Sequence, residues 1–209
     1  MILIGQYVSP FTRRVAIALH CYGIVYRHEP WSAFTDIEKI AYFNPVMRVP
    51  TLVLDSGEAL IESAAILDYL DDLVGAERAL LAPSGEERYR MLRICALATS
   101  LCEKLVSIIY EKRNHTAISD TWLDRCENQV CNTLTALERE RSARPTPFWF
   151  GDHLTHADIA VACAMTFMAA VNPDIAGRRA WAALAGYAHR CEQLTPFRAT
   201  APVFQNQTQ

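Results

Sequence analysis

The sequence predicts an α/β domain followed by an all-α domain, and three observations carry that expectation. Short β-like runs alternate with helical ones over about the first eighty residues, the pattern of an α/β unit. From Pro83 onward no convincing strand is found, and apolar residues recur at helical spacing over long stretches. Between the two parts, Gly75, Pro83, Ser84 and Gly85 cluster around Leu80-Leu81, a composition that marks a linker pinned to the surface by its leucines. The domains expected are therefore 1–78, an α/β domain, and 86–209, a helical one.

Each element has a local reason. Met1 to Gln6 reads as the first strand. Ser9-Pro10 then opens a helix with a hydroxyl at the N-cap and proline at the first helical position, and Gly23 closes it. Within that helix Val15, Ala18, Leu19 and Tyr22 share one stripe. Ile24 to His28 is the second strand, and Thr35 to Phe43 is a short helix that must end near Asn44-Pro45, because the residue before proline is pushed out of the α region. Thr51 to Asp55 and Ala59 to Ile61 flank Ser56-Gly57, a hairpin signal. Ser63 starts another helix, Ala64 to Leu73, closed by Gly75. The helical part runs roughly Pro83 to Arg113, Ser119 to Arg141, Thr155 to Val171 and Ala180 to Leu194.

Composition removes several function classes. The chain has 209 residues, 51% hydrophobic and 21% charged, enough to bury a sizeable core. A net charge of −3 and a pI near 6.1 lack the basic footprint of a nucleic-acid binder, so no nucleic-acid partner is expected. Seven cysteines are scattered without CxxC spacing, mostly in apolar helical stretches, as small core hydrophobes in a reducing setting are. No basic region precedes the first strand, which argues against a signal peptide. The longest uncharged run, Ile159 to Pro173, is too short to cross a bilayer. A cytoplasmic protein with no membrane association is expected. The histidines lack metal-ligand spacing, and His153 and His156 read as polar residues facing solvent, so no metal is expected.

Three local signals could carry chemistry. Ser9-Pro10-Phe11 stands at the turn between the first strand and first helix. Unpaired N–H groups and partial positive charge there favour an anion such as a thiolate, and a hydroxyl at the cap can donate to it. Redox proteins of thioredoxin type place a CxxC at such a turn, but no cysteine follows until Cys21, which excludes dithiol chemistry at this position. On local grounds alone plain N-capping is the favoured reading of Ser9. Second, in Asn44-Pro45-Val46-Met47-Arg48-Val49-Pro50-Thr51-Leu52 a proline directly precedes a strand. A cis Val49-Pro50 bond would present the Val49 N–H and C=O at the sheet edge to a peptide-like ligand, whereas a trans bond makes an ordinary turn. Third, Glu62-Ser63 could grip an amino-acid head group, the carboxylate taking an ammonium and the serine taking a carboxylate; Ser63 also reads as a mere cap.

In order and spacing these strings resemble the glutathione transferase family: Ser-Pro-Phe, then Asn-Pro-x-x-x-Val-Pro-Thr-Leu, then Glu62-Ser63-Ala64-Ala65-Ile66-Leu67-Asp68-Tyr69-Leu70. Thr155-His156-Ala157-Asp158-Ile159-Ala160 looks like the family's helix-opening capping box. The resemblance covers nearly the whole chain and is closest to bacterial members and the serine-type tau and zeta classes. It implies a thioredoxin-like first domain, an all-α second domain that contributes the acceptor pocket, glutathione as co-substrate with no other cofactor, and a homodimer. Carried onto this sequence, it implies Ser9 as the group that activates the thiol. Phe11, Arg48, Val49, Glu62 and Ser63 would join it in binding glutathione, with Arg48 standing where relatives often carry lysine or glutamine. Tyr7 and Tyr110 would line the acceptor pocket. Tyr7 also competes with Ser9 for the activating role, since tyrosine-type classes use a tyrosine near the end of this strand. An interdomain packing role fits Tyr110 as well. Gln193-Leu194-Thr195-Pro196-Phe197 is similar to a family end motif, which implies a part in stability more than in activity. The activity implied is transfer of glutathione to a small, largely apolar electrophile. Two alternatives stand beside it: a non-catalytic glutathione-binding or regulatory protein, and a glutathione-dependent reductase or peroxidase, which serine in place of a reactive cysteine disfavours.

Overall fold

A computed structural model describes residues 1–178 and 181–204. The chain forms two compact units, Met1–Pro83 together with Gln193–Gln209, and Ser84–Glu192. In the first unit the order is β1 (Ile2–Ile4), α1 (Pro10–Tyr22), β2 (Arg27–Glu29), α2 (Ile37–Phe43), β3 (Thr51–Val53), β4 (Ala59–Ile61) and α3 (Ser63–Val74), a thioredoxin-like arrangement. The four strands lie in the order β2-β1-β3-β4, with β1 and β2 parallel and the other pairs antiparallel. Side-chain alternation along the strands divides the core between the two faces. Leu3 and Leu52 pack with Val15, Leu19, Ile66 and Leu70 of α1 and α3. Their neighbours Ile4 and Val53 turn the other way and pack on Ile40 of α2.

Local chemistry accounts for the helix ends. Ser9 caps α1, and Gly23, at φ 67°, ends it in the left-handed conformation while Ile24 N donates back to Leu19 O at 3.0 Å. The strands are shorter than the sequence predicts, and the second begins at Arg27 instead of Ile24, because that C-terminal turn carries the chain past Ile24 before pairing starts. At α3 the expected cap is displaced by one residue. Glu62 occupies the cap position, with no side-chain cap bond, and Ser63 is the first helical residue.

The second unit contains α4 (Gly85–Asn114), α5 (Asp120–Ser142), α6 (His156–Val171), α7 (Pro173–Arg178) and α8 (Ala182–Glu192). Helix α6 is buried on nearly every side from His156 to Met168 and packs against α4 and α8, which makes it the centre of the unit. Ala180, the expected start of the last long helix, lies outside the described residues, and α7 was not foreseen. The short α9 (Thr195–Ala199) packs on α1, so the chain from Gln193 onward groups with the α/β unit, whereas the sequence places it in the helical domain.

Candidate functional site

Register brings three segments of the sequence to one end of the sheet. Ile4 lies opposite Thr51, and Thr51 opposite Ile61, so these residues form one row across β1, β3 and β4. The chain leaves this row from β1 toward Ser9, enters it through Arg48 and Val49, and leaves it again from β4 into Glu62-Ser63. The N-termini of α1 and α3, which pack on each other, therefore open at the same end.

Ser9 Oγ accepts from Thr12 N at 3.3 Å. That bond uses a lone pair of the hydroxyl, and the O–H proton is left to donate to an anion. N-capping and anion recognition are thus compatible duties of one side chain. The half-buried Phe11 follows in the first turn of α1.

A close approach at Gly5 fixes the distance between β1, α1 and Val49. Gly5 has φ 128°, and a Cβ there would stand 2.5 Å from Thr12 Oγ1 and 2.8 Å from Val49 Cβ, which no other residue type tolerates. The Gly5 carbonyl lies 2.8 Å from His28 Nε2, so that nitrogen carries the proton and donates.

Tyr7 is held elsewhere. Its hydroxyl lies 2.7 Å from the Tyr26 hydroxyl, and its ring stacks on His28 with centroids 4.0 Å apart. Burial raises the Tyr7 phenol above its ordinary value, against a smaller lowering by the bond to Tyr26.

The Val49-Pro50 bond is cis, and Val49 lies just outside the ladder that starts at Thr51. Buried Asn44 clamps this loop. Its Nδ2 donates to Arg48 O at 2.8 Å and to Thr51 Oγ1 at 3.1 Å, while its Oδ1 accepts from Val46 N at 3.0 Å. Arg48 Nη1 lies 3.6 Å from Glu62 Oε1, and both side chains are substantially exposed. Glu62 holds the positive φ of 66°, whereas Ser63, beside it, is buried. Tyr110 lies partly exposed on α4, in the second unit.

The site residues reached from the sequence are those with local signals. Gly5, His28 and Asn44 were missed as supports, although a glycine near the end of the expected strand and an asparagine before proline were visible signs. Among the described residues no group of three or more His, Cys, Asp or Glu side chains could hold a metal ion.

Comparison with known proteins bears on this geometry. The family described as glutathione S-transferase, N-terminal domain, matches residues 3–78, and glutathione S-transferase, C-terminal domain, matches residues 120–190. The uncharacterized GST-like protein YibF of Escherichia coli is 30% identical over 169 residues, which is 80% of this chain and 82% of YibF. A glutathione S-transferase of Methylobacterium radiotolerans, solved in complex with glutathione sulfonate, superposes with a TM-score of 0.88 at 25% identity, over 100% of this chain and 97% of its own. A glutathione transferase family member of Pseudomonas fluorescens Pf-5, solved with bound glutathione, gives a TM-score of 0.83 at 28% identity, over 97% and 99% of the two chains.

Proposed function

The chain belongs to the glutathione S-transferase family, and we propose that it binds glutathione at the sheet end described above and transfers the thiolate to a small, largely apolar electrophile. The observation that carries this reading is the row Ile4–Thr51–Ile61, which brings the segments leading to Ser9, from Arg48-Val49 and into Glu62-Ser63 to one end of the sheet.

Free glutathione is mostly a thiol at neutral pH, so catalysis requires its pKa to fall, at about 1.4 kcal/mol per unit. The Ser9 hydroxyl donates a hydrogen bond to the thiolate, keeping its proton, while the N-terminus of α1 adds its field. Serine is not the nucleophile; it stabilises the nucleophile supplied by the substrate. The Val49 backbone pairs with the cysteinyl unit, and Glu62 and Ser63 hold the γ-glutamyl end, the carboxylate taking the ammonium and the N–H and hydroxyl of Ser63 taking the carboxylate. Arg48 takes the glycine carboxylate. Arg48 and Glu62 face each other across 3.6 Å, an exposed pair worth about 0–1 kcal/mol, so a ligand carrying both charges separates them at little cost. Ser9 stands at the N-terminus of α1, whose field acts on a bound thiolate, whereas the Tyr7 ring is stacked on His28, which favours Ser9 over Tyr7 as the activating group. Among the described residues no helix is long and apolar enough to cross a membrane.

Calorimetry with glutathione, followed by a panel of electrophiles assayed with and without it, tests the proposal. Saturable binding and glutathione-dependent conjugation of at least one electrophile are expected. Binding without turnover across the panel would favour the binding-protein reading, and no binding would refute both.

A further inference from the structure

Arg13 is 1% exposed, a guanidinium almost wholly withdrawn from water on the first turns of α1. Its Nε donates to Thr200 O at 3.0 Å and its Nη2 to Phe197 O at 3.2 Å, and its Cζ lies 5.9 Å from the centre of the Phe197 ring. Thr200, fully buried, adds Oγ1 bonds to Pro196 O at 3.0 Å and Phe197 O at 3.3 Å. The Arg13 fork therefore takes hold of the end of α9, more than 180 residues away in sequence. The Arg13 backbone N–H donates to Ser9 O at 2.9 Å, so the anchored residue is bonded directly to the capping residue. Thr12, between them, is fully buried against Gly5.

We propose that Arg13 is a positioning residue of the site: it fastens the first turn of α1, and with it Ser9 and the anion-facing N–H groups, to the carboxy-terminal α9 segment. The end motif Thr195-Pro196-Phe197 then serves activity as well as stability, a larger part in activity than the resemblance implies. Two physical effects run through the contact. The planar fork, bonded to two carbonyls, holds the backbone of α1 more rigidly than a single ammonium could. Its permanent charge, one helical turn from Ser9 and shielded from water, also adds positive potential where a thiolate would sit.

The inference rests on the proposed function for its meaning, but its test does not require glutathione. In a Ser9→Cys background the introduced thiol reports the potential at the cap directly, through the pH dependence of its alkylation relative to the protein without it. Cys21 does not interfere near neutral pH, because burial pushes its thiol up to about 11. Adding Arg13→Met is expected to raise the pKa of the introduced thiol by about one unit. Adding Arg13→Lys, which keeps the charge and loses the fork, is expected to raise it by about half a unit, and this variant serves if the methionine protein does not fold. In the protein that retains Ser9, Arg13→Lys is expected to move the pH midpoint of conjugation upward by a similar amount while KM for glutathione changes less than twofold. A folded Arg13→Lys variant whose introduced thiol titrates as its parent does would overturn the proposal. A shifted thiol in a protein that never activates glutathione would leave the positioning role standing and refute the proposed function instead.

Discussion

Glu62 adopts φ 66° and ψ 121°, a conformation that residues other than glycine rarely hold, at a position where its carboxylate is proposed to meet an ammonium group. Such a cost persists where function requires the side chain. Glu62→Gly is therefore expected to raise thermal stability by about 1 kcal/mol through relief of the backbone, while weakening glutathione binding. Thermal unfolding and calorimetry on the same sample check this, and a variant that loses stability would show that the side chain holds the turn. Asn44 makes the opposite prediction. Its amide is the hub of three bonds across the 44–51 loop, and Asn44→Ala is expected to cost about 2–3 kcal/mol by denaturant titration and to weaken glutathione binding through Arg48 and Val49. The placement of Ser9, Glu62 and Ser63 at helix starts was legible in the sequence, at α3 to within one residue, because cap and strand-end positions are written locally. Asn44, Gly5 and Arg13 were not, since the partners that define them are supplied by register and by a segment at the far end of the chain.

At the scale of elements, the start of α6 shows how much more a capping residue does than capping. Asp158 is fully buried and accepts through Oδ2 from Thr155 N and Thr155 Oγ1, both at 2.6 Å. Its Oδ1 accepts from Trp149 N at 2.6 Å and from the Tyr187 hydroxyl, which ties α6 to α8 and to the preceding loop. Arg141 stacks 4.7 Å from the same Tyr187 ring while donating to the carbonyls of Phe148, Arg144 and Thr146. Thr155→Ala removes one cap and is expected to cost about 1–2 kcal/mol. Asp158→Ala leaves several buried donors without a partner and is expected to cost about 3–5 kcal/mol, which comparison of their unfolding midpoints would reveal. Equal losses would mean that the contacts to Trp149 and Tyr187 contribute nothing. The capping box was legible from Thr155 and Asp158 three apart, and the long helices from their apolar period. Helices α7 and α9 were not, because at 6 and 5 residues they are too short to show a period.

For the whole molecule, association is the first expectation. Around α2 and the loop after it Tyr42 is 83% exposed, with Val46 at 52%, Met47 at 47% and Ile37 at 42%, an apolar group of the kind that marks a protein contact. A homodimer near twice 23.5 kDa is expected by light scattering at micromolar concentration, and a monomer would contradict it. Two units, one carrying the proposed thiol site and the other built around α6, were legible from the change of pattern near Leu80. The return of the chain end to the first unit was not, since nothing local in Thr195–Ala199 names Arg13 as its partner. The central claim is that this architecture lowers the pKa of a bound thiol through Ser9. Ser9→Ala deletes one donor to the thiolate and leaves Val49, Glu62 and Ser63 to hold the tripeptide, so binding should survive while activation fails. The lost bond, about 1.5–3 kcal/mol, should raise the pKa of the bound thiol by about one to two units. Because the thiolate fraction then falls below that of the wild type at neutral pH and recovers above the new pKa, the loss is greatest at low pH. The decisive measurement is the conjugation rate against pH for wild type and Ser9→Ala, with glutathione affinity measured alongside. The account predicts near-equal affinity, a rate about ten- to a hundredfold lower near pH 7, and partial recovery at high pH; superimposable profiles would contradict it.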